Sequence, residues 1–437
     1  MAFIGPSAVG RLARVLYRGA RLPARGLTYG APAPAPAPSL PSWVPSAGEV
    51  VSYTAGGGVL TNNWRAIHDP AAVGYDPFLS KKVTDYSALF LHPTWRDYGA
   101  LVIWGGGHSA TNYNGVTVLT FDASTMYFEC VATPTDWAAT LDTGNISGEV
   151  NSYGEVTGSS PLRIAGPHSY GCGDVVGEKF VVPANMALGY TNFASVQAAH
   201  ELDLSDPSTA ASARAWVRRT ASLGGWSPFS APLLSRYVPA QDRLFIACQG
   251  GGSPFALQWF DLASNTWVTG SGTGFSYAEC DTSAGDPITG ALVHVPSRDL
   301  LICAFADGGV IRLQYMNVAS GVSQPTLGGE ATLGTSLSVG PQWGAMCWCS
   351  DSERLLVFGV SGNTDKVYEI EIPATLSNSW PVTSHTLAGG ATIVPKSKSV
   401  WGKSVDYNPA TRCVVLLQNG LVDTGNDVVT VYRPRST

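Results

Sequence analysis

Short runs of alternating apolar and polar residues fill most of this chain, and one run-and-turn arrangement returns about every 56 residues. Its clearest copies read VPAQDRLFIACQGGG (238–252), VPSRDLLICAFADGG (295–309), CSDSERLLVFGVSGN (349–363) and NPATRCVVLLQNG (408–420). HPTWRDYGALVIWGGGH (92–108) and GDVVGEKFVVPANMALG (173–189) are more divergent copies. In each, an apolar strand ends in a polar turn, and a second strand opens near Leu101, Phe180, Leu244, Leu300, Leu355 or Cys413. A third strand carries large residues at alternate positions, as in Ile311, Leu313 and Tyr315, and a looser fourth often starts at a tryptophan. Period-2 patterning between Gly, Pro, Asn and Asp clusters predicts strands. No sustained helical period follows residue 50. Six units of four antiparallel strands, repeated radially, predict an all-β, six-bladed propeller.

The unit resembles the kelch and galactose-oxidase-like propellers. LVIWGGGHSATNYNGVTVLTFDASTMYF (101–128) has the kelch order of apolar strand, glycine pair, polar loop, apolar third strand and Asp-x-x-Thr-x-aromatic turn. CQGGGSPFALQWFDLASNTW (248–267) repeats it, with Asp261, Thr266 and Trp267 standing where Asp122, Thr125 and Tyr127 stand. The other four copies lack the full pattern, and the resemblance spans roughly residues 50–437. Glycine pairs such as Gly106-Gly107, Gly251-Gly252 and Gly308-Gly309 suit close blade approach and a positive φ before the third strand.

The last copy reaches a third strand at 427–432 and lacks a fourth. Ser42-Trp43-Val44 resembles the openings of other fourth strands, Asn265-Thr266-Trp267-Val268 and Ala215-Trp216-Val217. Residues 42–54 are therefore expected to complete the sixth blade, making 42–437 one propeller closed by its two chain ends. Closure leaves no edge free to template aggregation.

Residues 1–48 have a different composition. They contain Arg11, Arg14, Arg18, Arg21 and Arg25 and no Lys, Asp or Glu, so the arm carries +5 of a chain whose net charge is −6. On a helix these arginines form one stripe, with Val9, Leu12, Val15 and Leu16 over much of the remaining circumference. Gly10 and Gly19 make such a helix weak alone, at about 1 kcal/mol each relative to alanine. Residues 1–30 thus read as a basic anchoring arm that takes a protein partner. The Ala/Pro repeat within 31–41 reads as a stiff polyproline II tether. An Arg-rich, acid-free arm also fits an organellar presequence, whereas the apolar core of a secretory signal is missing.

Candidate chemistry is sparse. The galactose-oxidase side of the resemblance implies copper held by two histidines, two tyrosines and a cysteine joined to a tyrosine. The histidines, at 68, 92, 108, 168, 200, 294 and 385, are scattered singly, and His92 and His294 fall at matching strand ends of two blades. No metal, cofactor or catalytic residue is expected. The sequence contains no GxSxG, HExxH or P-loop, and Gly105-Gly106-Gly107-His108 reads as a blade turn. Cys248, Cys303, Cys347, Cys349 and Cys413 read as small core fillers. No apolar stretch approaches the roughly 20 residues that cross a bilayer.

Binding is the better functional class, because propeller loops sit on a rigid scaffold. Long insertions lie between Trp137 and Pro167 and between Asn185 and Trp226. Trp137, Trp216, Trp226, Trp343 and Trp401 are candidate exposed aromatics for glycan stacking, although a blade-core role is the favoured reading of each. The acidic body disfavours nucleic acid. Anchor, tether and head, with Arg favoured over Lys and much Ala and Gly, resemble a tailed-phage virion component. That implies a non-enzymatic assembly protein of a tail or fibre, bound to other chains of a large complex through residues 1–45. The alternative is a glycan-binding or glycan-modifying propeller, secreted or virion-borne, which includes a copper-radical oxidase or a glycosidase.

Overall fold

A computed structural model describes residues 39–63, 67, 89–104, 114–134, 151–164, 172–220, 234–247, 256–275, 290–393, 405–417 and 428–435, apart from a few positions within these ranges. Six four-stranded antiparallel sheets make the six blades. Blade one comprises Leu89–His92, Ala100–Trp104, Val116–Phe121 and Met126–Ala132. Blade two comprises Asp174–Val176, Lys179–Val182, Ala199–Asp203 and Trp216–Thr220, with a hairpin of Asn185–Gly189 and Asn192–Val196 between its second and third strands. Blades three and four run from Leu234–Val238 to Thr266–Thr273 and from Gly290–Val295 to Leu327–Glu330. Blade five runs from Met346–Cys349 to Val382–Thr386. The insertion expected between Asn185 and Trp226 is therefore largely blade, since alternation in ALVIW-like runs is easier to read than in the polar strands AHELD and WVRRT.

Blade six takes Val405–Asn408, Cys413–Leu417 and Val428–Tyr432 from the end of the chain and Val50–Thr54 from near its beginning. Val50 pairs with Tyr432 and Thr54 with Val428. The strand begins at Val50, not at Ser42 as the tryptophan pattern suggests. Ser42 and Trp43 belong instead to blade one: the Ser42 N–H donates to the Ala123 carbonyl, and the Trp43 ring packs 5.7 Å from Phe121. The chain that leaves each outer strand commonly pairs with the next blade. Leu60 bridges Met126 in parallel after blade six, as Leu333 bridges Trp380 after blade four.

Five of the six blades open with a tight reversal. Asp242, Asp299, Glu353 and Arg412 have φ of 51°, 51°, 50° and 56° at the residue before the second strand, and Gly177 has 58° in blade two. This left-handed position costs a non-glycine residue energy, and aspartate tolerates it best. Gly308 and Gly309, at 53° and 77°, make the positive-φ turn into a third strand.

Inner strands read as nearly continuous apolar runs because they are covered on both faces. Val116–Phe121 and Ala100–Trp104 are buried at every position. The apolar clusters lie where blades meet. One joins Phe90 and Trp104 to Phe180 and Trp216, and another joins Trp43, Phe121 and Leu119 to Val415 and Val429. Cys303, Cys347, Cys349 and Cys413 are free thiols buried in this packing.

Candidate functional site at the inner strands

The first strand of every blade contacts the first strand of the next, and the ring closes between blades six and one. Three residues before the turn, the six inner strands place Phe90, Asp174, Arg236, Val293, Cys347 and Asp406. Three of the six are charged.

Each aspartate fastens one blade to the next. Asp174 Oδ2 accepts the Tyr237 N–H at 2.7 Å, and its Oδ1 accepts the Val175 N–H at 2.9 Å. Asp406 Oδ2 accepts the Leu91 N–H at 3.3 Å, and its Oδ1 accepts the Tyr407 N–H at 3.0 Å. Ser235 adds to the seam between blades two and three, donating to the Gly173 carbonyl and accepting its N–H. The carboxylates are therefore structural ties, and their buried charge is matched by backbone donors.

Arg236 lies between them. Its Nε is 3.7 Å from Asp174 Oδ2 and its Nη1 is 3.9 Å from Asp406 Oδ2, while 23% of its side chain remains exposed. Burial opposes the guanidinium charge, the two aspartates favour it, and the net direction of its pKa is upward. His294, from blade four, is pushed down to about 4 by burial and by the Arg236 charge. It is neutral near pH 7.

His92 and His294 are not equivalent after all. His92 directly precedes Pro93, whereas Val295 stands between His294 and Pro296. A one-residue offset turns a strand side chain to the opposite face. His92 lies against Trp95, with Glu178 at 3.5 Å from its Nε2, and burial lowers its pKa. His294 instead lies near enough to Arg236 for that charge to lower its pKa. Among the described residues, no group of three or more His, Cys, Asp or Glu side chains is placed to hold a metal.

Two more buried polar sites sit beside blade two. His200 donates or accepts at 3.2 Å from Glu155 Oε1 and at 3.1 Å from the Ala198 carbonyl, and burial depresses its pKa. Arg163 donates to the carbonyls of Thr133, Leu162, Arg214 and Ser212 and to Thr133 Oγ1. The segment 151–164 is thereby tied to blades one and two, which sequence spacing could not reveal.

The predicted tryptophans separate into two groups. Trp216 is 1% exposed between Trp104 and Phe180, and Trp343 is 4% exposed with its indole N–H donating to the Phe358 carbonyl. Both are core residues with no face to offer a sugar, because a tryptophan at a strand end is drawn into the apolar blade interface. Trp137, Trp226 and Trp401 lie outside the described residues, as do Arg11, Leu12, Arg14, Val15, Leu16, Arg18, Arg21 and Arg25 of the arm.

No family model matches the chain. No curated protein matches it. Among solved structures it is similar to the PQQ-bound aldose sugar dehydrogenase from Streptomyces coelicolor, at 9% identity and a TM-score of 0.40, over 81% of this chain and 96% of that one. It is likewise similar to the WD40 domain of Toxoplasma gondii coronin, at 10% identity and a TM-score of 0.40, over 92% and 90% of the two chains. The propeller of Dos1 gives 10% identity and a TM-score of 0.37 over 80% of each. Similarity at this level says nothing of what the chain binds or catalyses. The class established by the fold is a six-bladed β-propeller.

Proposed function

We propose that this protein is a non-enzymatic assembly component, a propeller head held to a larger complex by its N-terminal arm, with a phage tail or fibre as the setting. The observation that carries the reading is the strap between tether and ring. From Ser42 to Glu49 the chain is bonded to both blade one and blade six: Ser42 N–H to Ala123, the Trp43 indole N–H to Asp122, Gly48 N–H to Arg433, and Arg433 N–H to Glu49. A tether under tension needs such a footing, because a strand attached only at the closure could be peeled away. The inner-strand carboxylates support the same role, as both are spent on backbone N–H groups between blades. The arginine stripe of residues 11–25 would supply charge-assisted contacts to carboxylates of the partner chains.

The test is recovery of assembled particles with the full chain and with a variant lacking residues 1–30. The full chain is expected to co-sediment with the particles, while the variant stays in the supernatant as a folded head. Equal incorporation of the two overturns the anchoring role.

A further inference from the structure

Residues 151–164 form a hairpin beside blade two, closed by the Glu155–Ile164 bridge and by the Val156 N–H donating to the Arg163 carbonyl. Its two arms are held by different chemistry. The second arm, 162–164, is fixed by the Arg163 contacts described above and by Asn114 Nδ2, which donates to the Ile164 carbonyl at 3.0 Å. Ile164 itself is 0% exposed. None of these groups titrates near neutral pH. The first arm, 151–156, is held through Glu155, which is 7% exposed. Its Oε1 lies 3.2 Å from His200 Nε2 and 3.4 Å from Arg218 Nε, and its Oε2 accepts from Asn151 Nδ2 at 2.8 Å. The Tyr153 ring, on the same arm, lies 3.9 Å from the Arg218 guanidinium carbon.

His200 and Arg218 are cross-strand partners in the third and fourth strands of blade two. Glu201, Arg219 and Lys179 pair with one another on the opposite face of that sheet, and the second strand sets Val182 opposite His200. Among the described residues, the charged groups that act on the imidazole are therefore Glu155 and Arg218. Both ring nitrogens meet acceptors, since Nδ1 lies 3.1 Å from the Ala198 carbonyl. A neutral ring carries one N–H and serves one of them, and a second proton would serve the other. That proton would also put an imidazolium beside Arg218, both drawing on one carboxylate oxygen, with the ring 0% exposed. Burial outweighs the gain, and the His200 pKa lies below its ordinary 6.5.

We propose that Glu155, His200 and Arg218 form a pH-sensitive latch, closed at neutral pH and released by acid, that holds the arm 151–156 on blade two. His200 is fixed in its strand and gains water only when the arm lifts. The lifted state binds the proton first, near pH 6.5, so acid favours it. The contribution of His200 to closure is complete above 6.5 and is lost as pH falls from there through its lower closed-state pKa. The arm 162–164 stays in place on Arg163. Release bares Arg218, Tyr153 and a protonated His200 on the flank of blade two, two cations and an aromatic ring where the closed arm covers them. The latch stands or falls separately from the assembly role.

The test is amide hydrogen exchange of the full-length protein at about pH 7.5 and about pH 5, corrected for the intrinsic pH dependence of exchange. The amides of 153–156 are expected to lose several-fold in protection at the lower pH, while those of 163–164 and of the blade strands keep theirs. His200→Gln, which retains an N–H for Glu155 and cannot titrate, is expected to remove the pH dependence. A second readout in the wild-type protein, the NMR titration of the His200 ring, is expected to give a midpoint below 6.5, which decides the matter if the Gln variant fails to fold. Equal or greater protection of 153–156 at the lower pH overturns the proposal. So does an acid loss unchanged in His200→Gln, a loss shared by all of blade two, or a His200 midpoint at or above 6.5.

Discussion

The indole N–H of Trp43 donates to the carbonyl oxygen of Asp122 at 2.7 Å, across 79 residues of sequence. Asp122 sits at the turn of blade one, while the strand that follows Trp43, Val50–Thr54, belongs to blade six. One short segment thus holds the first and last blades together twice, through its side chain and then through its backbone. The Tyr53 hydroxyl also donates to the Trp43 carbonyl, tying the two parts of the segment to each other.

Truncation should resolve these contributions. Removing residues 1–38 is expected to leave the unfolding midpoint of the head nearly unchanged, since the strap contacts named above lie at or beyond Ser42. Removing 1–48 should lower it, and removing 1–54 should lower it further by exposing the Val428–Tyr432 edge. Trp43→Ala alone should cost about 3–5 kcal/mol in chemical denaturation, the usual loss for a large buried aromatic. Equal midpoints for the 1–38 and 1–54 deletions would contradict the closure.

Gly290 opens the inner strand of blade four, where a Cβ would lie 2.2 Å from the Ala304 carbonyl oxygen. That contact is with backbone and cannot be relieved by a rotamer change. Gly290→Ala is expected to destabilise by roughly 3 kcal/mol. Gly308→Ala, at φ +53° with open space around it, should cost only about 1–2 kcal/mol. Urea midpoints for the pair give the comparison, and equal losses would argue against the close approach of the first two strands.

His294 titrates near 4 in the folded protein and near its ordinary 6.5 when unfolded. The unfolded chain therefore binds the proton first. Its contribution to stability is complete above pH 6.5 and is lost as pH falls from there towards about 4. His294→Gln should flatten the acid limb of a stability-versus-pH curve in that window, with little change in its shape at neutral pH. Parallel curves for the two proteins would show that Arg236 and burial do not depress this group.

Arg163 is 4% exposed and makes five donor contacts to backbone and hydroxyl oxygens. Arg163→Met should leave those acceptors unpaired and cost about 2–4 kcal/mol, with the amides of 153–164 exchanging faster than the blade strands. Arg163→Lys should rescue little, because an ammonium cannot reproduce the planar fork. Full rescue by lysine would mean that only the charge matters there.

The repeat made the blades legible. The second strands Ala100–Trp104, Lys179–Val182, Arg243–Ala247, Leu300–Asp307, Arg354–Val357 and Cys413–Leu417 open within a residue of the positions marked by their apolar runs. Strands that face water on one side were harder to place. The fourth strand of blade five, VTSHT, and the third of blade two, AHELD, carry no signal of their own beyond position in the repeat. Trp216 and Trp343 take the blade-core role that their pattern favours, whereas Trp43 marks a blade-one anchor rather than a strand start.

Strand type, the number of blades and the need for a missing strand were all readable from the chain, because alternation with a fixed period acts locally and repeats. The meeting of Asp174, Arg236 and Asp406, and the influence of the Arg236 charge on His294, follow only from the folded ring. Those residues come from blades separated by up to 232 positions between Asp174 and Asp406, and nothing in a local pattern encodes which strand faces register together. The ring brings them within a few ångströms only once all six blades are closed, so the chemistry at the axis is a property of closure.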